Sequence, residues 1–134
     1  MKITGSRITS FLNSPNHDLI GTLLYGPDRG LVKERGKILA KTYSLNKDDI
    51  FGATVLTSDD LIVDPGKLDD EISALSMFGG TRVIRLRLDH ERNGVAISKI
   101  IKKYDNSPKM AEAKLIVEAG ELTQRSVIRK TFEA

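Results

Sequence analysis

Cysteine is absent from the 134 residues, which excludes a disulfide framework and fits a reducing, cytoplasmic compartment. Histidine occurs only twice, at His17 and His90, and without cysteine no zinc site is expected. Neither histidine belongs to an obvious serine–histidine–acid arrangement that would suggest nucleophilic catalysis. Aromatic residues make up 5% of the chain and do not interleave with the basic ones, so a platform for stacking bases is not expected. No run reaches the roughly 18 apolar residues of a membrane span. Met1-Lys2-Ile3-Thr4-Gly5 lacks the apolar core of a secretion signal. The net charge of +3 is mild; the sequence pI near 9.2 permits nucleic-acid binding without requiring it.

What is present is ordinary soluble-protein usage, 40% apolar and 29% charged, at a length that suits one domain with its own core. Strand and helix signals alternate. Arg7 to Asn13 carries Ile8, Phe11 and Leu12 at helical spacing, ahead of a turn at Pro15. Leu19 to Tyr25 is an apolar run that stops at Gly26-Pro27, the profile of a buried parallel strand. A helix is expected from about Gly30 to Tyr43 with Leu31, Ile38 and Leu39 inward and Lys33, Glu34, Arg35 and Lys37 mostly outward. Phe51, Ala53 and Val55 alternate as a second strand, and Thr57-Ser58-Asp59-Asp60 offers caps for the next helix. That helix carries Leu68, Ile72 and Leu75 on one stripe and ends at Gly79-Gly80. Arg82 to Leu88 reads as a third strand, Val95 to Tyr104 as a helix with Ile97, Ile100 and Ile101 in register, and Lys114 to Ala119 as a fourth strand. Thr123 is the cap expected for a last helix with Val127 and Ile128 inward. The alternation predicts an α/β domain, a mostly parallel sheet with helices on both faces.

In such a fold the turn after the first strand is where a nucleotide binds. A phosphate loop needs G-x-x-x-x-G-K-[ST], whose amides cradle phosphates, whose lysine neutralises them and whose hydroxyl ligates Mg²⁺. Gly26, Pro27, Asp28 and Gly30 sit in the right place. Counted from Gly26, however, the second glycine is Leu31, the lysine is Val32 and the hydroxyl is Lys33. From Gly30 the sixth position is Arg35, and Asp28 repels phosphate. The site is degenerate, and no bound nucleotide, metal or other cofactor is expected. A Mg²⁺-binding acid would close the third strand; Asp89 stands there and reads as a loop acid. Arg85 and Arg87 share one face of that strand, opposite Ile84, Leu86 and Leu88, so the strand is expected at an edge, incompletely covered, or facing a partner.

The most distinctive stretch is Leu75-Ser76-Met77-Phe78-Gly79-Gly80. At about 100° per residue, Met77 falls opposite the core stripe and Phe78 at its margin, so the pair needs a partner, within the domain or outside it. Leu24-Tyr25-Gly26-Pro27-Asp28, Leu75 to Ile84, and Glu118-Ala119-Gly120-Glu121-Leu122 together resemble the delta subunit of bacterial DNA polymerase III, the clamp-opening subunit of the clamp loader. The resemblance runs over essentially the whole chain and corresponds to the N-terminal domain of that family. It implies a P-loop or AAA+-like three-layer domain that has lost nucleotide binding, and a chain that is a fragment of a longer one lacking the C-terminal oligomerisation region.

The resemblance also implies a function: a non-catalytic subunit domain of the polymerase III holoenzyme, a DNA-directed DNA polymerase, that binds the beta sliding clamp and helps open it during replication. In the family a Leu-Phe-like pair at the helix tip inserts into a hydrophobic clamp pocket, and Met77 and Phe78 occupy that place. Met for Leu is a mild departure, since Met adapts to irregular pockets. Ser76 is a neighbouring contact, and Arg82 a candidate to meet acidic clamp surface. Other loader subunits are the expected partners, with DNA contacted through the assembly and no membrane. The alternative is an atypical NTP-binding or ATPase domain, against which the missing Gly-Lys-Ser/Thr speaks. Asp69-Asp70-Glu71 reads as a solvated helix face, and Lys99, Lys102, Lys103, Arg125, Arg129 and Lys130 as basic helix surfaces that serve solubility. Met77, between a helix and the next strand, belongs at the amino edge of the sheet, and the Gly26 turn at its carboxyl edge, so the two sites are expected at opposite ends.

Overall fold

The computed structural model describes residues 2–5, 7–16, 18–43, 53–74 and 82–133. Four apolar runs become strands: β1 (Gly21–Leu24), β2 (Ala53–Thr57), β3 (Arg82–Leu88) and β4 (Ala113–Ala119). They form one sheet in the order β1-β4-β3-β2, and every pairing is parallel. The protein is therefore α/β, with a parallel sheet covered by helices on both faces.

The order explains the two layers. From β1 the chain passes over β4 and β3 to reach β2, then steps back through β3 to β4, so its direction of travel reverses. Right-handed crossovers taken in opposite directions put their helices on opposite faces. One face carries α1 (Arg7–Asn13) and α2 (Arg29–Tyr43), which bury Leu12, Leu39, Ala40 and Tyr43 against Val83 and Ile116. The other carries α3 (Ser58–Val63), α4 (Lys67–Ser73), α5 (Gly94–Asn106) and α6 (Val127–Glu133). There Leu61, Leu68, Ile72, Ile97 and Ile128 close over Ile84, Leu86, Leu115 and Val117. Each such side chain contributes about 1.5–3 kcal/mol when fully buried.

Several boundaries and phases differ from the sequence reading. β3 lies inside the sheet, with β2 on one side and β4 on the other. Its charged face is covered by α2, because Arg85 meets a counter-charge: Nε donates to Glu118 Oε2 at 2.6 Å and Nη2 to Oε1 at 3.0 Å. Arg85 Nη2 also donates to the Lys33 carbonyl at 3.0 Å. The buried stripe of α2 runs through Val32, Gly36, Leu39, Ala40 and Tyr43, leaving Leu31 44% and Ile38 38% exposed instead of inward. Its phase is set by Gly36, which seats the helix directly over Glu118. An added Cβ there would lie 2.4 Å from Glu118 Oε2 and 2.5 Å from its carboxyl carbon.

Glycine to alanine inside a helix normally stabilises by up to about 1 kcal/mol. Gly36→Ala is expected to do the reverse, destabilising by about 1–3 kcal/mol, because the carboxylate it displaces is pinned to Arg85. Urea unfolding of the variant beside wild type gives the sign.

Of the capping candidates, Thr57 takes the role. Its hydroxyl accepts from Asp60 N at 3.2 Å, and its own N–H donates to Asp60 Oδ2 at 2.9 Å, a reciprocal box. The helix it opens is α3 alone, and Pro65-Gly66 separates it from α4. At the other end of the chain, Ser126 replaces Thr123 as the cap. Its hydroxyl accepts from Arg129 N at 3.2 Å, which starts α6 later and leaves Val127 exposed while Ile128 is buried. In β2 the side chain of Val55 is exposed, as suits an edge strand, and Phe51 lies outside the described residues.

Candidate functional site

The carboxyl ends of β1 and β4 form the switch point of the sheet: β1 leads into α2 on one face and β4 towards α6 on the other. Ligands of open α/β sheets bind at this crevice. The Gly26 turn is tied into it by a hydrogen bond from Gly26 N to Gly120 O at 3.1 Å. Pro27 and Asp28 follow, and α2 begins at Arg29. The Asp28 carboxylate accepts from Leu31 N at 3.0 Å, capping the helix with the chain's own anion. Gly30 lies against the same carboxylate, its Cβ position 3.4 Å from Asp28 Oδ1.

Arg29 covers what remains. Its guanidinium lies on Gly120 so closely that an added Cβ would be 2.7 Å from Nη2 and 2.8 Å from Cζ. Its Nη1 donates to the Leu88 carbonyl at 3.3 Å and stands 3.9 Å from Asp89 Oδ1. One arginine thus spans the carboxyl ends of β4 and β3. A phosphate at this helix terminus would have to displace the Asp28 carboxylate from its amide, with no lysine or hydroxyl at the loop positions to compensate. A ligand that binds only the folded state raises Tm when supplied well above its Kd. A thermal-shift scan with Mg²⁺-ATP is therefore expected to leave Tm unchanged, and an upward shift would count for the NTP-binding alternative.

Compared with protein-family models, curated proteins and solved structures, the chain matches none.

At the amino edge of the sheet stands Arg82, the described member of the other candidate site. Ser76, Met77 and Phe78, with Gly79 and Gly80, lie outside the described residues. α4 ends at Ser73, and Ala74 is already extended at φ −69° and ψ 133°, so the helix does not run on to the glycines as the sequence reading expects. Side chains close it instead. Ser73 Oγ donates to the Asp69 and Asp70 carbonyls at 3.0 and 3.3 Å. Arg82, the first residue of β3, donates from Nη1 to the Glu71 and Ala74 carbonyls at 2.9 and 3.0 Å. Its Nη2 meets Glu71 Oε2 at 2.7 Å. The structure thus places Arg82 as a brace across the base of the segment. The Gly26 turn follows the carboxyl end of β1 and Arg82 opens β3, so in the parallel sheet these two lie at opposite edges; the expected position of Met77 falls outside the described residues.

Two of the three acids read as a solvated face are bound. Asp69 accepts from the Tyr104 hydroxyl and from Lys103 Nζ at 2.9 Å, and Glu71 pairs with Lys67 at 3.1 Å as well as with Arg82. Hydrogen bonds from Tyr104, then Lys103, hold the Asp69 carboxyl below its usual pKa. Burial pushes Glu71 up, but hydrogen bonds from Arg82 and Lys67 outweigh it, and the net shift is down. Carboxyls with lowered folded-state pKa values add stability that is present above their ordinary values, 3.8 for Asp and 4.5 for Glu. That stability is lost as pH falls through the folded values. Tm is expected to drop as pH is lowered below about 4.5, and Asp69→Asn is expected to flatten part of that drop; an unaltered acid limb in the variant would count against the linkage.

Sequence reasoning missed Arg29, Gly120 and the Arg85–Glu118 pair. The signal for the first two was faint: two strand-ending glycines, at 26 and 120, with an arginine three residues after the first. His90 pairs with Asp59 at 2.8 Å. Among the described residues no group of three His, Cys, Asp or Glu side chains is placed to hold a metal, and no helix is long and apolar enough to cross a membrane.

Proposed function

We propose that the chain is a non-catalytic clamp-loader module: an AAA+-like domain, similar to the N-terminal domain of the polymerase III delta subunit, that grips the beta sliding clamp and helps open it. The observation that carries the reading is Asp28 and Arg29 filling the phosphate position of an all-parallel, nucleotide-type sheet. A domain with that outline and its own side chains in the ligand crevice is suited to mechanical work in an assembly whose other subunits hydrolyse ATP.

In this reading Met77 and Phe78 enter an apolar clamp pocket, Ser76 contacts its rim, and Arg82 braces the base of the hook against α4 so that docking force is passed to the sheet. DNA is reached through the loader. The test is release of beta clamp from closed circular DNA in nucleotide-free buffer. Wild type is expected to speed release, and Met77→Ala/Phe78→Ala to return it to the spontaneous rate. Equal release by both proteins, or none by either, would overturn the assignment.

A further inference from the structure

α2 carries charge that works against its own stability. Its 15 residues hold five bases, Arg29, Lys33, Arg35, Lys37 and Lys41, against one acid, Glu34. The helix is therefore at +4 in a chain whose net charge is +3. Arg29, Lys33, Lys37 and Lys41 succeed one another at i, i+4 spacing, where like charges repel. No acid stands in the first turn to meet the helix dipole.

Arg29 leaves the row by lying on Gly120 and donating to the Leu88 carbonyl. The three lysines have no such outlet. All are exposed, and among the described residues none of them forms an ion pair.

Beside this row stand Leu31 and Ile38, seven residues apart and so nearly in line along the helix. They are 44% and 38% exposed, because the seat of Gly36 on Glu118 turns another stripe to the sheet. At 3.6 residues per turn, the apolar line lies about 110° from the middle of the lysine row, with Glu34 between them. An apolar seam bordered by charge is the surface on which one helix accepts another.

The same surface selects its partner. A second copy of α2 would bring cations against cations. A nucleic-acid backbone would leave Leu31 and Ile38 bare and set phosphates on Glu34. We infer that the outer face of α2 docks an acidic amphipathic helix of a partner polypeptide. Its apolar side covers Leu31 and Ile38, and its carboxylates stand opposite Lys33, Lys37 and Lys41. The inference goes beyond the clamp-loader reading and does not depend on it.

The probe is the capped peptide Glu-Ala-Gln-Leu-Glu-Ala-Gln-Ala-Glu-Ala-Leu-Gln-Glu-Ala, with a control in which glutamine replaces every glutamate. Titration into labelled protein is followed by NMR. The parent peptide is expected to shift the amides of Lys33, Lys37, Ile38 and Lys41 ahead of those of Lys99, Lys102 and Lys130. The control is expected to bind about tenfold more weakly. Two variants locate the contact. Lys33→Gln/Lys37→Gln/Lys41→Gln is expected to lose about tenfold in affinity with Tm unchanged or raised, since the charges removed repelled one another. Leu31→Ala/Ile38→Ala is expected to lose about tenfold as well. Absence of shifts at millimolar peptide, equal shifts at Lys99, Lys102 and Lys130, or unchanged affinity in either variant would overturn the inference. So would tighter binding of duplex DNA to the same residues, insensitive to Leu31→Ala/Ile38→Ala, which would make the face a nucleic-acid surface.

Discussion

Glu118→Ala is expected to destabilise the fold by about 3–5 kcal/mol. Glu118 and Arg85 are 5% and 8% exposed, beneath α2 in the middle of the sheet. The carboxylate takes two hydrogen bonds from Arg85, at 2.6 and 3.0 Å, and stands 4.0 Å from Arg87 Nε. Its removal leaves the Arg85 guanidinium buried with one carbonyl partner, Lys33 O, and that orphaned charge is the source of the loss. The pair itself adds little net stability, because desolvating two ions offsets most of their attraction. Arg85→Leu/Glu118→Leu is therefore expected to recover most of the deficit. Urea unfolding of wild type, Arg85→Leu, Glu118→Leu and the double variant closes the cycle. A loss under about 1 kcal/mol for Glu118→Ala would mean that water reaches the arginine and that α2 does not seal this face.

The second large effect concerns binding. In the proposed docking, Met77 and Phe78 each bury a side chain worth about 1.5–3 kcal/mol, about 3–6 kcal/mol together before the costs of association. Truncating both to alanine is expected to weaken clamp affinity by at least about a hundredfold. Arg82→Ala separates two roles for the arginine. It removes hydrogen bonds that close α4, so a brace is expected to show itself as lost stability together with lost affinity. An arginine that only met clamp acid would lower affinity and leave Tm alone.

The strands were legible because each is a short apolar run stopped by turn residues: Arg82–Leu88 is read at its observed bounds and Ala113–Ala119 within one residue. The order of the strands was not legible, since the alternating arginines of β3 look like an exposed face until Glu118, 33 residues on, is known to pair with Arg85. Helix phase failed in α2 for a related reason: Gly36 carries no apolar signal, yet its lack of a side chain decides which stripe meets the sheet. The end of α4 was misread because its carbonyls are closed by Arg82 and Ser73 rather than by a glycine. At the carboxyl edge, the spacing from Gly26 and Gly30 alone showed that the phosphate loop lacks its lysine and hydroxyl. That Arg29 lies on Gly120 is a tertiary contact across 91 positions and leaves no local pattern.

The central claim is that this domain docks on a sliding clamp through Met77 and Phe78. Isothermal titration of the domain against the beta clamp, with wild type beside Met77→Ala/Phe78→Ala and both shown folded by circular dichroism, tests it most directly. The expected result is measurable binding by wild type and its loss in the double variant at unchanged Tm. Equal binding by the two proteins, or no binding by a folded wild type, would contradict the account.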